Sequence, residues 1–234
     1  MQVIGHRGAN RERPENTLAA FERALELGAD GIEADVLLSR DGRLVVRHDD
    51  LIQHDGRWRA VRELTWDELQ RVDLGGGARM PAAEALIEQF ASRCQVVLEL
   101  KGFGTAQPLA ALLKDLPKRD PSRSNLHVTS FLSAELAEFA ERDPDTDRSL
   151  TLAAAPPDVG RLCRDAQAKG CVSLSRGFLT EPLVRRLRAQ EGLRVRAYTV
   201  NWLQEAEQFA AWGLEAIYTD DPGGMQPLRA RRAA

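Results

Sequence analysis

The stretch Val96-Val97-Leu98-Glu99-Leu100-Lys101 indicates the fold of this chain. Its apolar residues are mostly consecutive rather than alternating with polar ones, which is typical of a strand covered on both faces inside a parallel sheet. Seven further short apolar runs occur, at residues 3–5, 31–36, 126–130, 149–153, 171–174, 195–200 and 216–219. We therefore expect eight strands of one sheet.

Amphipathic helical patterns with recognisable ends separate these runs. Asn16 or Thr17 can cap the first of these helices, and Gly28 follows it. Thr180 begins a later helix, and Gly213 ends the last clear one. Eight such strand–helix units predict an α/β protein with a (β/α)8 TIM barrel, and a doubly wound open sheet is the alternative.

The alternation is interrupted once, between the second and third strands. Asp41-Gly42 is a turn signal that predicts a hairpin of residues 36–38 with residues 44–46. A long polar stretch with one helical pattern follows. We therefore predict a single barrel domain over residues 1–234, with a small insertion after strand 2 at about residues 49–80.

The composition excludes several classes of protein. Hydrophobic residues make up 43% of the chain, enough for a sizeable core, and the net charge of −3 gives no general attraction to nucleic acid. The apolar runs are too short for stable membrane insertion. The first residues lack the pattern of a signal peptide, which predicts a cytoplasmic location. The three cysteines have no metal-binding spacing, and we expect them to be reduced and buried.

Three carboxylates fall near the carboxyl ends of predicted strands, where barrel enzymes build their sites. Glu33 and Asp35 lie two residues apart on the second strand, so both side chains project to one side, and Glu99 lies on the third. Together they would repel one another unless a cation joined them, and oxygen ligands favour Mg²⁺ or Ca²⁺. The alternative is a structural ion network with Arg7 and Lys101.

Two histidines also lie at strand ends. His6 follows the first strand, and His48 ends the hairpin. Imidazoles titrate near neutrality, so one can accept a proton while the other donates one. Arg7 offers a guanidinium fork to a phosphate oxygen, and Lys101 adds a second positive charge unless it pairs with Glu99 alone. These residues predict metal-assisted acid–base chemistry on an anionic substrate.

Six motifs occur in order along the chain: His6-Arg7-Gly8, Pro14-Glu15-Asn16-Thr17, Glu33-x-Asp35, Asp41-Gly42 with Val46-x-His48-Asp49, Glu99-x-Lys101 and Thr219-Asp220-x-Pro222. Together they resemble the signature of glycerophosphodiester phosphodiesterases of the cytoplasmic bacterial type. The resemblance extends from residue 2 to about residue 222. It implies a TIM-barrel enzyme for nearly the whole chain.

The resemblance implies metal-dependent hydrolysis of glycerophosphodiesters, which are deacylated phospholipids such as glycerophosphocholine, to sn-glycerol 3-phosphate and an alcohol. It also implies roles at the matching positions: His6 and His48 as the acid–base pair, Glu33, Asp35 and Glu99 as ligands of a divalent cation, and Arg7, Lys101 and Glu15 as substrate contacts, with Glu15 near the glycerol end. The chain departs from the family at Tyr198, where a tryptophan is common, and at residues 80–84. These departures concern substrate contacts rather than the chemistry.

Two other functions remain open at this point. A lysophospholipase D or phospholipase C-like phosphodiesterase at a membrane needs an apolar rim, for which Leu51, Ile52, Trp58 and Trp66 are candidates. A non-catalytic barrel that binds a phosphoester has no need of both histidines and all three carboxylates. The partner expected for the phosphodiesterase is a small-molecule phosphodiester substrate, and the sequence leaves the oligomeric state open.

Overall fold

Eight parallel strands close into a barrel in the computed structural model, which describes residues 1–116 and 121–230. The strands of the chain are β1 (Gln2–His6), β2 (Gly31–Leu38), β3 (Leu44–Val46), β4 (Leu51–His54), β5 (Arg57–Ala60), β6 (Gln95–Leu100), β7 (Leu126–Ser130), β8 (Asp147–Leu152), β9 (Cys171–Ser175), β10 (Arg194–Tyr198) and β11 (Ala216–Thr219). Strand β1 pairs in parallel with both β2 and β11, which closes the ring formed by β1, β2 and β6–β11. The predicted TIM barrel is therefore confirmed, and the open sheet is excluded.

Helices follow the barrel strands and cover the outside of the ring. They are α1 (Leu18–Glu26), α2 (Trp66–Leu69), α3 (Ala83–Phe90), α4 (Ala106–Asp115), α5 (Ser133–Arg142), α6 (Val159–Asp165), α7 (Glu181–Ala189), α8 (Leu203–Trp212) and α9 (Gln226–Ala230). Thr17 rather than Asn16 caps α1, because its hydroxyl accepts the backbone N–H of Ala20 at 3.1 Å. Thr180 caps α7 in the same way, and α8 ends at Gly213 in the left-handed conformation.

The main apolar core fills the space between the strands and the surrounding helices. The inner faces of α1 and α3 meet there, with the rings of Phe21 and Phe90 edge to face at 6.0 Å. Leu109 of α4 and Phe139 of α5 are fully buried in the same core. Burial of such side chains contributes about 1.5–3 kcal/mol each, and it holds the strand ends in fixed positions.

A polar layer fills the barrel interior near the amino ends of the strands. His127 of β7 is fully buried, with Nε2 2.9 Å from Ser149 Oγ and Nδ1 3.1 Å from Asp147 Oδ2. Burial and the nearby charge of Arg196 lower the pKa of His127 to about 4, so the imidazole is neutral at neutral pH. The guanidinium of Arg196 is itself buried and donates to Glu215 at 2.6 Å.

The predicted hairpin leads into the insertion after β2. Strand β3 pairs antiparallel with the end of β2, so that Val46 lies opposite Val36 and Leu44 opposite Leu38. A second hairpin of β4 and β5 and the short helix α2 complete the insertion. Its residues form an apolar cluster of their own against the outside of the barrel.

The four side chains expected to form a weak apolar rim have different environments. Ile52 is buried in the cluster of the insertion, and Trp66 packs against that cluster. The expectation is wrong for these two residues, because Ile52 of β4 and Trp66 of α2 both pack on the apolar cluster of the insertion. Leu51 and Trp58 are exposed.

The cysteines and the helices agree with two further predictions from the composition. Cys94, Cys163 and Cys171 are buried and form no disulfide, as predicted. Across residues 1–116 and 121–230, no helix combines the length and apolar character required to cross a membrane.

Candidate active site

A cavity of about 230 Å³ opens at the carboxyl ends of the barrel strands. This is the end at which TIM-barrel enzymes carry their catalytic groups. The cavity brings together seven of the eight residues to which the sequence assigns a role. Its wall consists of His6, Arg7, Glu33, Asp35, His48, Glu99, Lys101, Thr129, Phe131, Thr151, Ser173, Tyr198, Thr199 and Tyr218.

The three predicted carboxylates form a compact buried triad. Asp35 and Glu99 are directly paired positions of β2 and β6, and Glu33 lies one alternation earlier on β2. One carboxylate oxygen from each lies within 4.8 Å of the others, and each residue is at most 8% exposed. Burial, together with the charges of Asp35 and Glu99, raises the pKa of Glu33 well above its usual value. A cation bound among these oxygens would remove this repulsion, so the triad fits a divalent metal site.

Two positive side chains border the triad, as the alternative of an ion network requires. Lys101 Nζ lies 3.0 Å from Glu99 Oε1 and 3.5 Å from Asp35 Oδ1, and Arg7 Nε lies 3.4 Å from Asp35 Oδ2. Within the described part of the chain, Glu33 has no ion pair and accepts the backbone N–H of Arg7 at 3.1 Å. The ion network therefore exists, but Glu33 takes part in it only through the more distant charges of Arg7 and Lys101, and its pKa stays raised.

The loop after β1 is folded tightly against β2. Its shape depends on Gly8, which has φ of +84° and lies so close to α1 that a Cβ atom would be 2.5 Å from the carbonyl carbon of Ala20. Asn16, with φ of +57°, donates its side-chain N–H to Asp35 Oδ2 at 2.9 Å and accepts the Asp35 backbone N–H at 3.3 Å. This loop therefore fixes both Arg7 and one carboxylate of the triad.

His6 is held by a carboxylate that follows the last barrel strand. Its Nδ1 lies 2.7 Å from Asp220 Oδ1, and the side-chain amides of Asn10 and Asn201 donate to Asp220, each at 2.7 Å. Partial burial raises the pKa of Asp220, but these hydrogen bonds outweigh burial and hold the pKa well below its usual range. Ionised Asp220 thus keeps the proton of His6 on Nδ1 and leaves Nε2 for other partners.

His48 lines the cavity from the segment after β3. Its Nδ1 lies 2.8 Å from Asp49 Oδ1, and this hydrogen bond lowers the pKa of Asp49. Both histidines therefore have a carboxylate on Nδ1 and border the same cavity. Because Asp49 is exposed, whereas Asp220 is partly buried among amide donors, His6 has the more rigid support.

Two residues that contact the site, Asp220 and Asn16, were given no role in it from the sequence. Asp220 lies in one of the quoted motifs, but its pairing with His6 spans 214 residues and becomes visible only when the barrel closes. Asn16 likewise lies in a quoted motif, and only the fold shows that it holds Asp35. Glu15, expected near the substrate, is outside the cavity wall and accepts a hydrogen bond from Arg7 at 3.0 Å.

The chain is similar to known phosphodiesterases over nearly its whole length. Residues 6–224 match the family model of the glycerophosphoryl diester phosphodiesterases. The chain is 29% identical to a glycerophosphodiester phosphodiesterase of Bacillus altitudinis, over 97% of this chain and 98% of that protein. Its fold resembles that of an Oleispira antarctica phosphodiesterase in complex with the product sn-glycerol-3-phosphate, with a TM-score of 0.86, 27% identity, and coverage of 98% of this chain and 97% of the other. The chain therefore belongs to the glycerophosphoryl diester phosphodiesterase family of enzymes.

Proposed function

We propose that this chain hydrolyses glycerophosphodiesters to sn-glycerol 3-phosphate and an alcohol, with a divalent cation and two histidines. The proposal rests mainly on one observation: His6 and His48, each with a carboxylate on Nδ1, border the cavity that also contains the acidic triad. Family membership supports the substrate class. We propose further that residues 1–234 act as one domain, with the insertion at about residues 49–80.

Glu33, Asp35 and Glu99 would hold the cation, and their oxygen ligands suit Mg²⁺ or Ca²⁺. When bound, the cation polarises a phosphate oxygen and offsets the negative charge that develops on it. Without a cation, burial and mutual repulsion raise the pKa values of Glu33 and Glu99. The positive charge of a bound cation would offset both effects, so all three carboxylates could be ionised.

Arg7 and Lys101 bind the phosphate in this proposal. Both line the cavity, and both stay charged: burial lowers the pKa of Lys101, but Glu99 and Asp35 outweigh it and raise the pKa. Their donors offset charge on the phosphate oxygens as the transition state forms. We assign Glu15 to the glycerol end of the substrate, as the resemblance to the family implies; its carboxylate pairs with Arg7 just outside the cavity wall.

One histidine of the pair removes a proton from the nucleophile, which is water or the glycerol 2-hydroxyl, and the other protonates the departing alcohol. Attack by water gives sn-glycerol 3-phosphate directly, whereas attack by the 2-hydroxyl gives a cyclic phosphodiester that a water molecule then opens to the same product. Each proton transfer contributes about 10²–10⁴ to the rate. Positioning of the substrate and stabilisation of charge supply the rest of the acceleration. The carboxylates on Nδ1 support both roles, since they fix the tautomer and stabilise the imidazolium that forms.

The same pairing argues against a non-catalytic phosphoester-binding barrel. A binding site needs positive charge for the phosphate, which Arg7 and Lys101 already provide. Two histidines supported by carboxylates add proton transfer, which binding does not require.

We propose a small-molecule substrate and a cytoplasmic location for this protein. The net charge of −3 supports a small-molecule substrate rather than nucleic acid. The three buried, unpaired thiols support a reducing, cytoplasmic location.

A coupled assay of glycerol 3-phosphate release tests the function directly. Glycerophosphocholine, glycerophosphoethanolamine and a glycerol diester are supplied with and without Mg²⁺ or Ca²⁺. We expect turnover that requires the metal and falls about 10²–10⁴-fold in His6→Ala and in His48→Ala, with circular dichroism unchanged. His54→Ala, a histidine of the insertion outside the cavity wall, serves as the matched control. Near-wild-type turnover in either of the first two variants would refute the assignment.

A further inference from the structure

A second cavity opens beside the site and shares two of its side chains. It has a volume of about 910 Å³, and its wall comes from the end of β2, the insertion and the segment after β6. His48 and Lys101 line both this cavity and the 230 Å³ cavity that contains the acidic triad. The two cavities, which we call the side cavity and the triad cavity, therefore adjoin at these two side chains.

The side cavity lies where the alcohol arm of a glycerophosphodiester would extend, given the reaction proposed above. Such a diester carries two arms on one phosphorus atom, and the arms leave it in different directions. Arg7, which pairs with Glu15 at the glycerol end, lines the triad cavity but not the side cavity. With the phosphate at the triad and the glycerol arm towards Arg7, the side cavity is left for the alcohol.

Two aromatic rings of the side cavity have no cation of their own. Trp58 is 64% exposed and Phe103 is 78% exposed, and both line the wall. Elsewhere on the protein an exposed ring is already covered, since the guanidinium carbon of Arg176 lies 4.7 Å from the ring centre of Trp202. Among the described residues, no lysine or arginine lies over Trp58 or Phe103 in this way. A cation supplied by a ligand can therefore occupy these two faces.

The charges of the side cavity favour a positive ligand over a negative one. Arg40 and Lys101 line the wall, but each pairs with a glutamate, at 3.2 Å and 3.0 Å respectively. Besides the histidine shared with the triad cavity, the other charged side chains of the wall are two exposed carboxylates, Asp49 and Asp50, and the guanidinium of Arg62. A small excess of negative charge therefore remains. Because water screens exposed groups, we expect the aromatic rings to contribute more than these charges.

We propose that the side cavity binds the alcohol of the substrate and favours an alcohol that carries a quaternary ammonium group, such as choline. A quaternary ammonium has a positive charge, an apolar surface and no hydrogen to donate, so aromatic faces are its usual surroundings in proteins. A neutral polyol such as glycerol gains much less from the rings. Trp58 and Phe103 are therefore specificity-determining side chains for the proposed reaction.

Selectivity between two matched esters tests the proposal on the full chain with its metal. The substrates are glycerophosphocholine and its uncharged counterpart, the 3,3-dimethylbutyl ester, in which a carbon atom replaces the nitrogen and the shape is kept. We expect wild type to have the higher kcat/KM for the choline ester. In the double variant Trp58→Ala with Phe103→Ala, this preference should fall about 3- to 30-fold, because the cation loses both aromatic faces.

Two controls tie the expected effect to the rings of the side cavity. Trp58→Phe with Phe103→Tyr retains both aromatic faces and should keep most of the preference for the choline ester. Phe178→Ala removes an exposed ring that lines neither cavity, so it should change kcat/KM for neither ester. The proposal is overturned if wild type does not prefer the choline ester, or if the double alanine variant prefers it as strongly as wild type does.

Binding of free choline separates this inference from the proposed reaction. Saturation-transfer NMR on the metal-bound protein needs no turnover, and 3,3-dimethylbutanol serves as the uncharged probe. We expect choline to give a stronger signal with wild type than with the double alanine variant, and equal signals would contradict the role of the side cavity even if no diester is cleaved. Conversely, release of glycerol 3-phosphate without any preference for choline would contradict the side cavity and leave the reaction standing.

Discussion

Asp220 Oδ1 lies 2.7 Å from His6 Nδ1, and this contact joins the segment after the last barrel strand to the end of the first. Because the amides of Asn10 and Asn201 keep Asp220 ionised and fixed, the carboxylate orients the imidazole. We expect Asp220→Asn to lower kcat by about 10²–10⁴ with a smaller change in KM, because the amide can stabilise the wrong tautomer of His6. Steady-state kinetics across pH would measure this, and a shifted acidic limb would distinguish positioning from a fold defect.

Asp221→Asn is the matched control for that variant. Asp221 is the next residue, but it pairs with Arg11 and does not contact His6. It should keep at least half of the wild-type kcat. Equal losses in both variants would show that the segment after β11, rather than the contact with His6, is what matters.

Glu33→Gln should separate metal binding from the stability of the metal-free protein. The neutral amide relieves repulsion in the triad, so the metal-free variant should be more stable than wild type by roughly 1 kcal/mol in urea unfolding. Conversely, Mg²⁺ or Ca²⁺ at 100 times its Kd should stabilise wild type by about 2.7 kcal/mol and the variant much less. Glu138→Gln, in an exposed pair with Arg142, is the control and should show the wild-type metal response. Identical metal responses in Glu33→Gln and wild type would exclude Glu33 as a ligand.

His127 predicts a pH dependence of stability. Its pKa is about 4 in the folded protein, whereas an unperturbed histidine has a pKa of 6.5, so between these values the unfolded chain binds a proton that the folded protein does not. Protonation of His127 in the unfolded chain therefore does not affect the free energy of unfolding above pH 6.5. As the pH falls from 6.5 towards 4, it lowers the free energy of unfolding by about 3 kcal/mol in total. Urea unfolding at about pH 7.5 and about pH 4.5 should show a larger decrease for wild type than for His127→Gln. Parallel decreases would contradict a buried neutral imidazole.

Gly8→Ala tests the close approach of the first loop to α1. The new Cβ would meet the Ala20 carbonyl carbon at 2.5 Å, in a backbone conformation with φ of +84° that disfavours any side chain. We expect a loss of at least about 2 kcal/mol in unfolding free energy and a weakened hold on Arg7. Gly42→Ala is a sharp control, because φ is +82° there but nothing lies within 4 Å of the added carbon. Its loss should be about 1 kcal/mol.

The barrel could be predicted from the sequence because parallel strands are covered on both faces and therefore show continuous apolar runs. The capping hydroxyls of Thr17 and Thr180 and the turn at Asp41-Gly42 were also visible, since each acts within a few residues. The hairpin of β4 and β5 was not predicted. Its strands are largely exposed and lack an apolar run, although Asp55-Gly56 between them is a turn signal.

For the site, residue type and strand position were sufficient to select the side chains that meet in the cavity. The pattern could not predict which of them touch. The partners of His6 and Asp35 come from loops whose path depends on barrel closure and on left-handed residues such as Asn16. Glu15 illustrates the same limit, because only the fold shows that its carboxylate holds Arg7.

Closure of the ring by β1 and β11 also determines when the site can form during protein synthesis. His6 is synthesised before its carboxylate partner, which follows β11 and is 214 residues further along the chain. A nascent chain that still lacks this strand has β1 unpaired on one side and an imidazole without its anchor. The supported proton-transfer group at His6 can therefore assemble only after β11 and the segment that carries Asp220 have been synthesised.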